Sequence, residues 1–186
     1  MYQTVYRHHT KRIVEAMFKR ALDKFLDDEG IGYEEFIQMD DIDLVYRLRN
    51  AEGYPRDMMK RIDQRELFKI AFQEGISLIE EGLREDMLKN SRKIEEGIAD
   101  DFRIDRGYIL IDIPEIKMSE FKILIESDDG LKLINEISSL ARALEKAEEE
   151  KLVLCVYAPP EYMKSLKGFD VEKYMEFTQT RLGRFL

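Results

Sequence analysis

Apolar side chains recur every three or four positions over roughly the first hundred residues, which is the spacing of amphipathic helices. The first predicted helix runs to about Phe25, and two glycines, Gly30 and Gly32, follow it as candidate left-handed caps. No Ser, Thr, Asp or Asn cap precedes this helix, and Met1 already lies on its apolar stripe. The pattern therefore predicts a chain that opens in the middle of a helix.

The same spacing predicts further helices beyond this point. One begins near Asp40, which can cap it, and another begins at Pro55, a residue that suits a first turn. Residues 75–102 have helical spacing with opposite charges four residues apart. The apolar run 67–72 between them is too short for its type to be decided.

The pattern changes after about residue 104, where β-rich runs appear. Strands are predicted at 107–113 and 151–157, and residues 121–134 predict a hairpin around a turn at 127–130. A helix is expected from Ser138 or Ser139 to about Glu149, and helical pieces are expected at 161–166 and 170–182. The predicted fold is mainly α with an α+β C-terminal part: a helical region 1–104, then a small α+β domain 105–186 with a hairpin, one or two further strands and covering helices.

Composition narrows the classes of function. The formal net charge of −9 makes the chain a poor general binder of nucleic acid, because phosphate neutralisation needs a basic surface. No apolar run approaches the length of a membrane span, so no membrane partner is expected. Cys155 is the single cysteine and cannot form an internal disulfide, which favours a reducing, cytoplasmic location. Its apolar neighbours predict a buried thiol in a strand.

Both histidines of the chain, His8 and His9, lie in its first segment. Adjacent residues of a helix point about 100° apart, so the pair cannot chelate one metal ion from a helix. One interpretation is a helix with a buried stripe and a partly exposed histidine, which spacing alone favours. The other is a ligand-facing surface, where a phenol contacts the ligand beside an imidazole and a guanidinium that face phosphate.

Other charged clusters predict local structure. The basic concentration at 47–69 is interleaved with acidic residues, which is typical of a solvated helix surface. Paired carboxylates such as Asp40 and Asp41 fall at predicted caps and turns. The sequence contains no HExxH, P-loop, GxGxxG or GxSxG motif.

The stretch Val-Tyr-Arg-His-His-Thr-Lys-Arg at 5–12 resembles a helix of HD-superfamily phosphohydrolases, in the branch related to dNTP triphosphohydrolases. That helix reads approximately Ala-Arg-x-x-Met-Tyr-x-x-Val-Tyr-x-His-Lys-x-x-Arg. The matching residues here are Met1, Tyr2, Val5, Tyr6, His8 and Arg12. His9 stands where the family has lysine. Segments at 41–69, 111–114 and 136–140 resemble later parts of the same proteins, so the resemblance covers most of the chain.

The resemblance implies roles for five residues near the start of the chain. Tyr2 and Tyr6 would bind the substrate, with Tyr6 against the nucleotide sugar. His8, His9 and Arg12 would bind phosphate, where some relatives hold nucleotides at a subunit interface. The exchange of lysine for His9 weakens a phosphate role, because histidine is mostly neutral at pH 7.

The resemblance also sets an expectation about metal chemistry. The family places a His, a His-Asp pair and a further Asp around a divalent metal such as Mg, Mn, Fe or Zn. Neither histidine here is followed by Asp, so no cofactor and no catalytic residue is expected in this chain.

Two functions follow as expectations. In the first, the chain is the C-terminal portion of an HD-type dNTP phosphohydrolase, supplies part of the substrate pocket and the oligomer contacts, and is inactive alone. Its partners would then be copies of itself or an HD-containing chain, with a nucleotide as ligand. The alternative is a non-catalytic nucleotide-binding or protein-interaction module.

Overall fold

The computed structural model describes residues 8–79, 81–114, 123–127, 130–169, 171 and 173–174. Its helices are α1 His9–Glu29, α2 Tyr33–Phe36, α3 Asp41–Asn50, α4 Tyr54–Asp63, α5 Glu81–Phe102, α6 Ile134–Ile137 and α7 Ser139–Glu149. Its strands are β1 Lys69–Gly75, β2 Leu110–Asp112, β3 Leu124–Ser127, β4 Gly130–Leu133 and β5 Val153–Ala158. Short 3₁₀ turns lie at Ile76–Leu78 and Pro160–Tyr162. The predicted class, mainly α with a small sheet and covering helices, is confirmed.

Helix α1 has a start of its own at His8. The backbone of His8 is extended, with φ −63° and ψ 130°, and its side chain accepts a hydrogen bond from the backbone N–H of Thr10. The prediction of an unbroken helix through this position is therefore wrong. The imidazole Nδ1 of His8 supplies the cap that no Ser, Thr, Asp or Asn provides. The helix ends at Gly30 in the left-handed conformation, as predicted. Residues 1–7 lie outside the described part of the chain.

A three-stranded antiparallel sheet has the order β1-β5-β2. The central strand β5 pairs with β1 through Gln73 opposite Cys155, and with β2 through Leu110 opposite Tyr157. The apolar run of undecided type thus leads into a strand, and the sheet takes strands from both sides of residue 104. The division into two domains at that residue stays a prediction.

Strand β5 is apolar throughout because both of its faces are buried. Leu154, Val156 and Ala158 face one core with residues of α5, including Ile98. Cys155 and Tyr157 face a second core built from α1, α3 and α4. A strand covered on both faces has no polar alternation, which is why this segment appears as a continuous apolar run. The predicted buried thiol is confirmed, since Cys155 is 4% exposed.

Strands β3 and β4 form the predicted hairpin, with Leu124 opposite Leu133. Helix α7 begins at Ser139, as predicted, and the Ser138 hydroxyl accepts a hydrogen bond from the Ala141 N–H. Several large apolar residues of this region are exposed, among them Leu131 and Leu140.

Two predicted elements begin or end at different residues. Helix α5 starts at Glu81 rather than near residue 75, because β1 continues to Gly75 and a 3₁₀ turn follows it. The strand predicted at 107–113 is confined to β2, since Gly107 has a positive φ of 94° that an extended strand does not allow. The helix predicted at 170–182 lies outside the described residues apart from three positions.

Candidate functional site

A cavity of about 580 Å³ lies between α1 and α5, above strand β2. We call it the interhelical groove. Helix α1 lines it with one face, helix α5 lines the opposite side, and residues 110–113 complete it. Its charged lining residues are Arg12, Glu15, Lys19, Arg20, Asp23, Arg92, Glu95 and Asp112. Four are basic and four acidic, so the groove is balanced in charge within a chain of net charge −9.

A buried ion pair joins the two helices across the groove. Arg20 of α1 donates to a carboxylate oxygen of Glu95 of α5 at 2.6 Å, and the other oxygen of Glu95 accepts from the Ile111 N–H at 2.8 Å. Glu95 is 2% exposed. Burial raises the pKa of this carboxyl group above its ordinary value, although Arg20 and the Ile111 N–H act in the opposite direction. One carboxylate thereby links α1, α5 and β2.

A second polar cluster closes the groove at the sheet. One oxygen of Asp112 accepts hydrogen bonds from Arg12 Nε and from the Tyr157 hydroxyl, both at 2.8 Å. Arg12 also donates to the Val153 carbonyl at 2.8 Å. Burial lowers the pKa of the Arg12 guanidinium, but the adjacent Asp112 charge outweighs this and the pKa is raised. Burial and Asp112 together raise the pKa of the Tyr157 phenol. These contacts fix the Arg12 side chain in one orientation.

A smaller cavity of about 220 Å³ shares Arg20, Arg92 and Glu95 with the groove. Four cations line it: Arg20, Lys24, Arg92 and Arg106. Arg92 pairs with Asp23 at 2.9 Å. Within the described part of the chain, Lys19 is a groove cation that forms no ion pair, and its side chain is exposed. The two cavities together are lined by six cations and five carboxylates.

The predicted site residues are distributed unevenly. Tyr2 and Tyr6 lie outside the described residues, so their roles stay predictions. His8 and His9 are exposed, with ring centroids 4.3 Å apart, and neither lines the groove. Arg12 does line it. The structure thus brings Arg12 together with groove residues from α5 and β2, while the two histidines lie at the start of α1.

Several groove residues were missed by sequence reasoning. Arg20 lies eight residues after Arg12, which places both on one face of α1. Glu95 directly follows the core residue Ile94. A carboxylate next to an apolar stripe was the sequence signal that could have indicated its burial. Neither signal identifies the partner helix, because that requires knowing that α1 and α5 lie side by side.

The metal site of the resembled family does not fit the residues found here. Over the ranges that the structure describes, no group of three or more His, Cys, Asp or Glu side chains is placed to hold a metal ion. The carboxylates of the groove are instead bonded to arginines, as for Asp112 and Glu95. No helix in the described part of the chain is long and apolar enough to cross a membrane.

Three known proteins each match most of this chain, whereas the match covers less than half of their own length. An uncharacterized protein of Methanocaldococcus jannaschii is 35% identical over 177 residues, which are 92% of this chain and 38% of that protein. A crystal structure of a hypothetical protein from Aquifex aeolicus matches 90% of this chain and 41% of its own, with 20% identity and a TM-score of 0.56. A phosphohydrolase from Bacteroides thetaiotaomicron matches 86% of this chain and 46% of its own, with 18% identity and a TM-score of 0.46.

The chain therefore spans about two fifths of the length of the relatives it matches. The Aquifex likeness shows that the fold occurs elsewhere, within a longer protein. A family model described as "HD associated region" matches residues 1–184, nearly the whole sequence. The chain belongs to the HD-associated region family.

Proposed function

We propose that this chain serves as the HD-associated region of a nucleotide phosphohydrolase, in which it supplies one wall of the substrate pocket and contacts between subunits. The reaction itself, dNTP hydrolysis at a divalent metal, would depend on an HD-bearing polypeptide. The observation that carries the proposal is the pair of groove arginines, Arg12 and Arg20, held by carboxylates, with Lys19 exposed beside them, in a chain of net charge −9.

The groove has the chemistry that phosphate recognition needs. Guanidinium and ammonium groups bind phosphate oxygens through charge-assisted hydrogen bonds. Carboxylates hold the guanidiniums of Arg12 and Arg20 in place, so little side-chain entropy is lost when a ligand binds. Lys19 adds an exposed cation to the lining of the groove. An acidic chain gains little from general electrostatic attraction, so this local arrangement would carry the recognition.

The predicted nucleotide contacts belong to the same proposal. Tyr2 would contact the substrate and Tyr6 its sugar, and His8 and His9 would approach phosphate from the start of α1. Arg12 is then the residue that joins these contacts to the groove, because it lies one turn after His8 and lines the cavity.

A thermal-shift titration with the four dNTPs and with GTP, each with and without Mg²⁺, tests nucleotide binding. A ligand at 100 times its dissociation constant adds about 2.7 kcal/mol to the free energy of unfolding, a shift of a few degrees for a chain of this size. We expect a metal-independent shift that Lys19→Ala and Tyr6→Ala reduce. Lys93→Ala is the matched control, since Lys93 is an exposed cation of α5 that does not line the groove.

Three other results would each contradict a part of the proposal. Equal shifts in Lys19→Ala and the parent would rule out the groove as the phosphate site. Absence of any shift would rule out a nucleotide site formed by this chain alone. Hydrolysis of a dNTP by the purified 186-residue chain would contradict its assignment as a non-catalytic part.

Reconstitution tests the division of labour. Mixing the chain with a separately expressed HD-bearing polypeptide should give dNTP hydrolysis, and Lys19→Ala should raise KM more than it lowers kcat. Equal dNTP hydrolysis by the HD-bearing polypeptide alone would instead favour the alternative, in which this chain is a non-catalytic interaction module.

A further inference from the structure

The segment from Asp27 to Tyr46 is uniformly acidic. It contains eight carboxylates and no lysine or arginine, against a net charge of −9 for the whole chain. The carboxylates, all of them exposed, are Asp27, Asp28, Glu29, Glu34, Glu35, Asp40, Asp41 and Asp43. We call this segment, with its exposed apolar residues, the acidic face.

Four large apolar residues are exposed on the acidic face. Tyr33 is 78% exposed and Ile37 59%, while Ile42 is 78% exposed and Tyr46 68%. The members of each pair are four residues apart and so lie one helical turn apart. An ion pair of 3.1 Å between Glu35 and Arg47 joins α2 to α3, which places the two pairs on neighbouring elements.

These four apolar side chains belong to neither of the two core clusters. Helix α3 packs on the core through Leu48, which is fully buried, with help from Leu44 and Val45. Ile42 and Tyr46 lie on another side of the same helix. Clustered apolar residues rimmed by polar ones mark interaction surfaces more often than scattered ones do.

The charge of the face decides what can cover it. A second copy in a two-fold dimer would bring the same carboxylates together, because such an interface pairs a surface with itself. Nucleic acid and anionic lipid surfaces would also be repelled. A basic protein segment is attracted by the same charges, and its apolar residues would cover the exposed side chains.

We propose that the acidic face docks a basic amphipathic helix of a partner protein. An amphipathic helix presents apolar anchors at positions i, i+3, i+4 and i+7, which suits exposed apolar side chains spaced one helical turn apart. Lysine or arginine beside those anchors would meet Glu34, Asp41 and Asp43, whose side chains form no ion pair among the described residues. This surface is independent of the interhelical groove and of the nucleotide site proposed there.

The test uses the full 186-residue chain and a fluorescent Leu/Lys amphipathic peptide of about 18 residues, about 27 Å long as a helix. Binding is followed by fluorescence anisotropy. A peptide of the same composition in scrambled order, which has no apolar face, controls for charge alone. We expect the amphipathic peptide to bind at least ten times more tightly than the scrambled one, with affinity that falls as salt is raised.

Variants locate the binding surface. Ile42→Ser with Tyr46→Ser should weaken binding at least tenfold, and Glu34→Gln with Asp43→Asn should reduce its salt dependence. Leu78→Ser is the matched control, because Leu78 is 76% exposed and lies outside the acidic face. All these side chains are exposed, so far-ultraviolet circular dichroism and the thermal unfolding midpoint should be unchanged and should verify folding.

Three results would overturn the proposal. Equal affinity for the ordered and scrambled peptides would mean that charge alone is recognised. Full affinity in the Ile42→Ser, Tyr46→Ser variant would place the peptide elsewhere. A dimer that dissociates in that variant, measured by sedimentation without peptide, would make a second copy the occupant.

Discussion

The sheet β1-β5-β2 and the hairpin β3–β4 differ in how they are covered. Side chains of β5 point into two separate cores, and Leu154 and Tyr157 are fully buried. The hairpin exposes apolar residues, with Leu131 at 68% and Leu124 at 58%. Both sets of strands consist of β-forming residues, so the difference comes from packing.

The comparison separates strand formation from strand stability. Sequence pattern alone predicted both β5 and the hairpin, because β-propensity and turn residues act locally. Burial of β5 on both faces makes it part of the global unfolding unit, whereas a two-stranded hairpin contributes little stability unless other elements cover it. Residues at equivalent positions in the two regions should therefore respond very differently to substitution.

The largest expected effect comes from Leu154→Ala in β5. Removing a fully buried leucine side chain leaves a cavity and should lower the free energy of unfolding by about 2–5 kcal/mol. Leu131→Ala in β4 makes the same chemical change at an exposed site and should alter it by less than about 0.5 kcal/mol. Urea denaturation measures both, and equal losses would end the distinction between the two regions.

The next effect concerns the ion pair beside the sheet. Arg20→Met leaves the Glu95 carboxylate buried without its cation. We expect a loss of about 2–3 kcal/mol in the free energy of unfolding, somewhat below the usual range for a broken buried pair, because Glu95 can take up a proton. Arg49→Met removes a bidentate but exposed pair with Asp63 and should leave the denaturation midpoint unchanged. Similar midpoints for both variants would contradict the importance of burial.

A smaller effect is expected from Tyr157→Phe. This change removes one hydrogen bond to Asp112 while Arg12 still pairs with the carboxylate. The free energy of unfolding should fall by about 1 kcal/mol. Tyr33→Phe removes a hydroxyl from a side chain that is 78% exposed and should have no effect on thermal unfolding. A full loss of stability in Tyr157→Phe would mean that Arg12 alone cannot hold Asp112.

The smallest effect is a dependence on pH. Burial raises the pKa of Glu95 above 4.5 in the folded state, so the folded protein holds this proton at pH values where the unfolded chain has lost it. The contribution of Glu95 to stability is therefore present below pH 4.5 and is lost as pH rises through the folded pKa. Glu95→Gln lacks this loss, so the stability of the variant relative to the parent should rise over that range.

Asp100 provides a control of opposite sign for the pH measurement. A hydrogen bond from Arg106 lowers the pKa of Asp100 below 3.8. Its contribution is present above pH 3.8 and is lost as pH falls through the folded pKa. Asp100→Asn should thus change the acid side of the stability curve only. A flat difference between Glu95→Gln and the parent would show that Arg20 cancels the effect of burial.

The sequence predicted those features that depend on neighbouring residues, such as the caps and ends of helices. Asp40 caps α3, with its side chain accepting from the Asp43 N–H, and Gly30 ends α1, both as expected from residue type. The ion pair between Arg20 and Glu95 was out of reach, because its members are 75 residues apart and nothing local relates them. The type of β1 was undecided for the same reason, since its partner β5 lies far along the chain.

The order of the strands determines when the sheet can form. The two outer strands, β1 and β2, each pair with β5 and not with each other, and β5 is the last of the three in the sequence. A chain growing on the ribosome would therefore present both outer strands unpaired until residues 153–158 emerge. Long-range pairing of this kind slows folding and leaves strand edges open to wrong partners in the meantime. The edges of β1 and β2 are thus open to wrong partners until Ala158 has emerged.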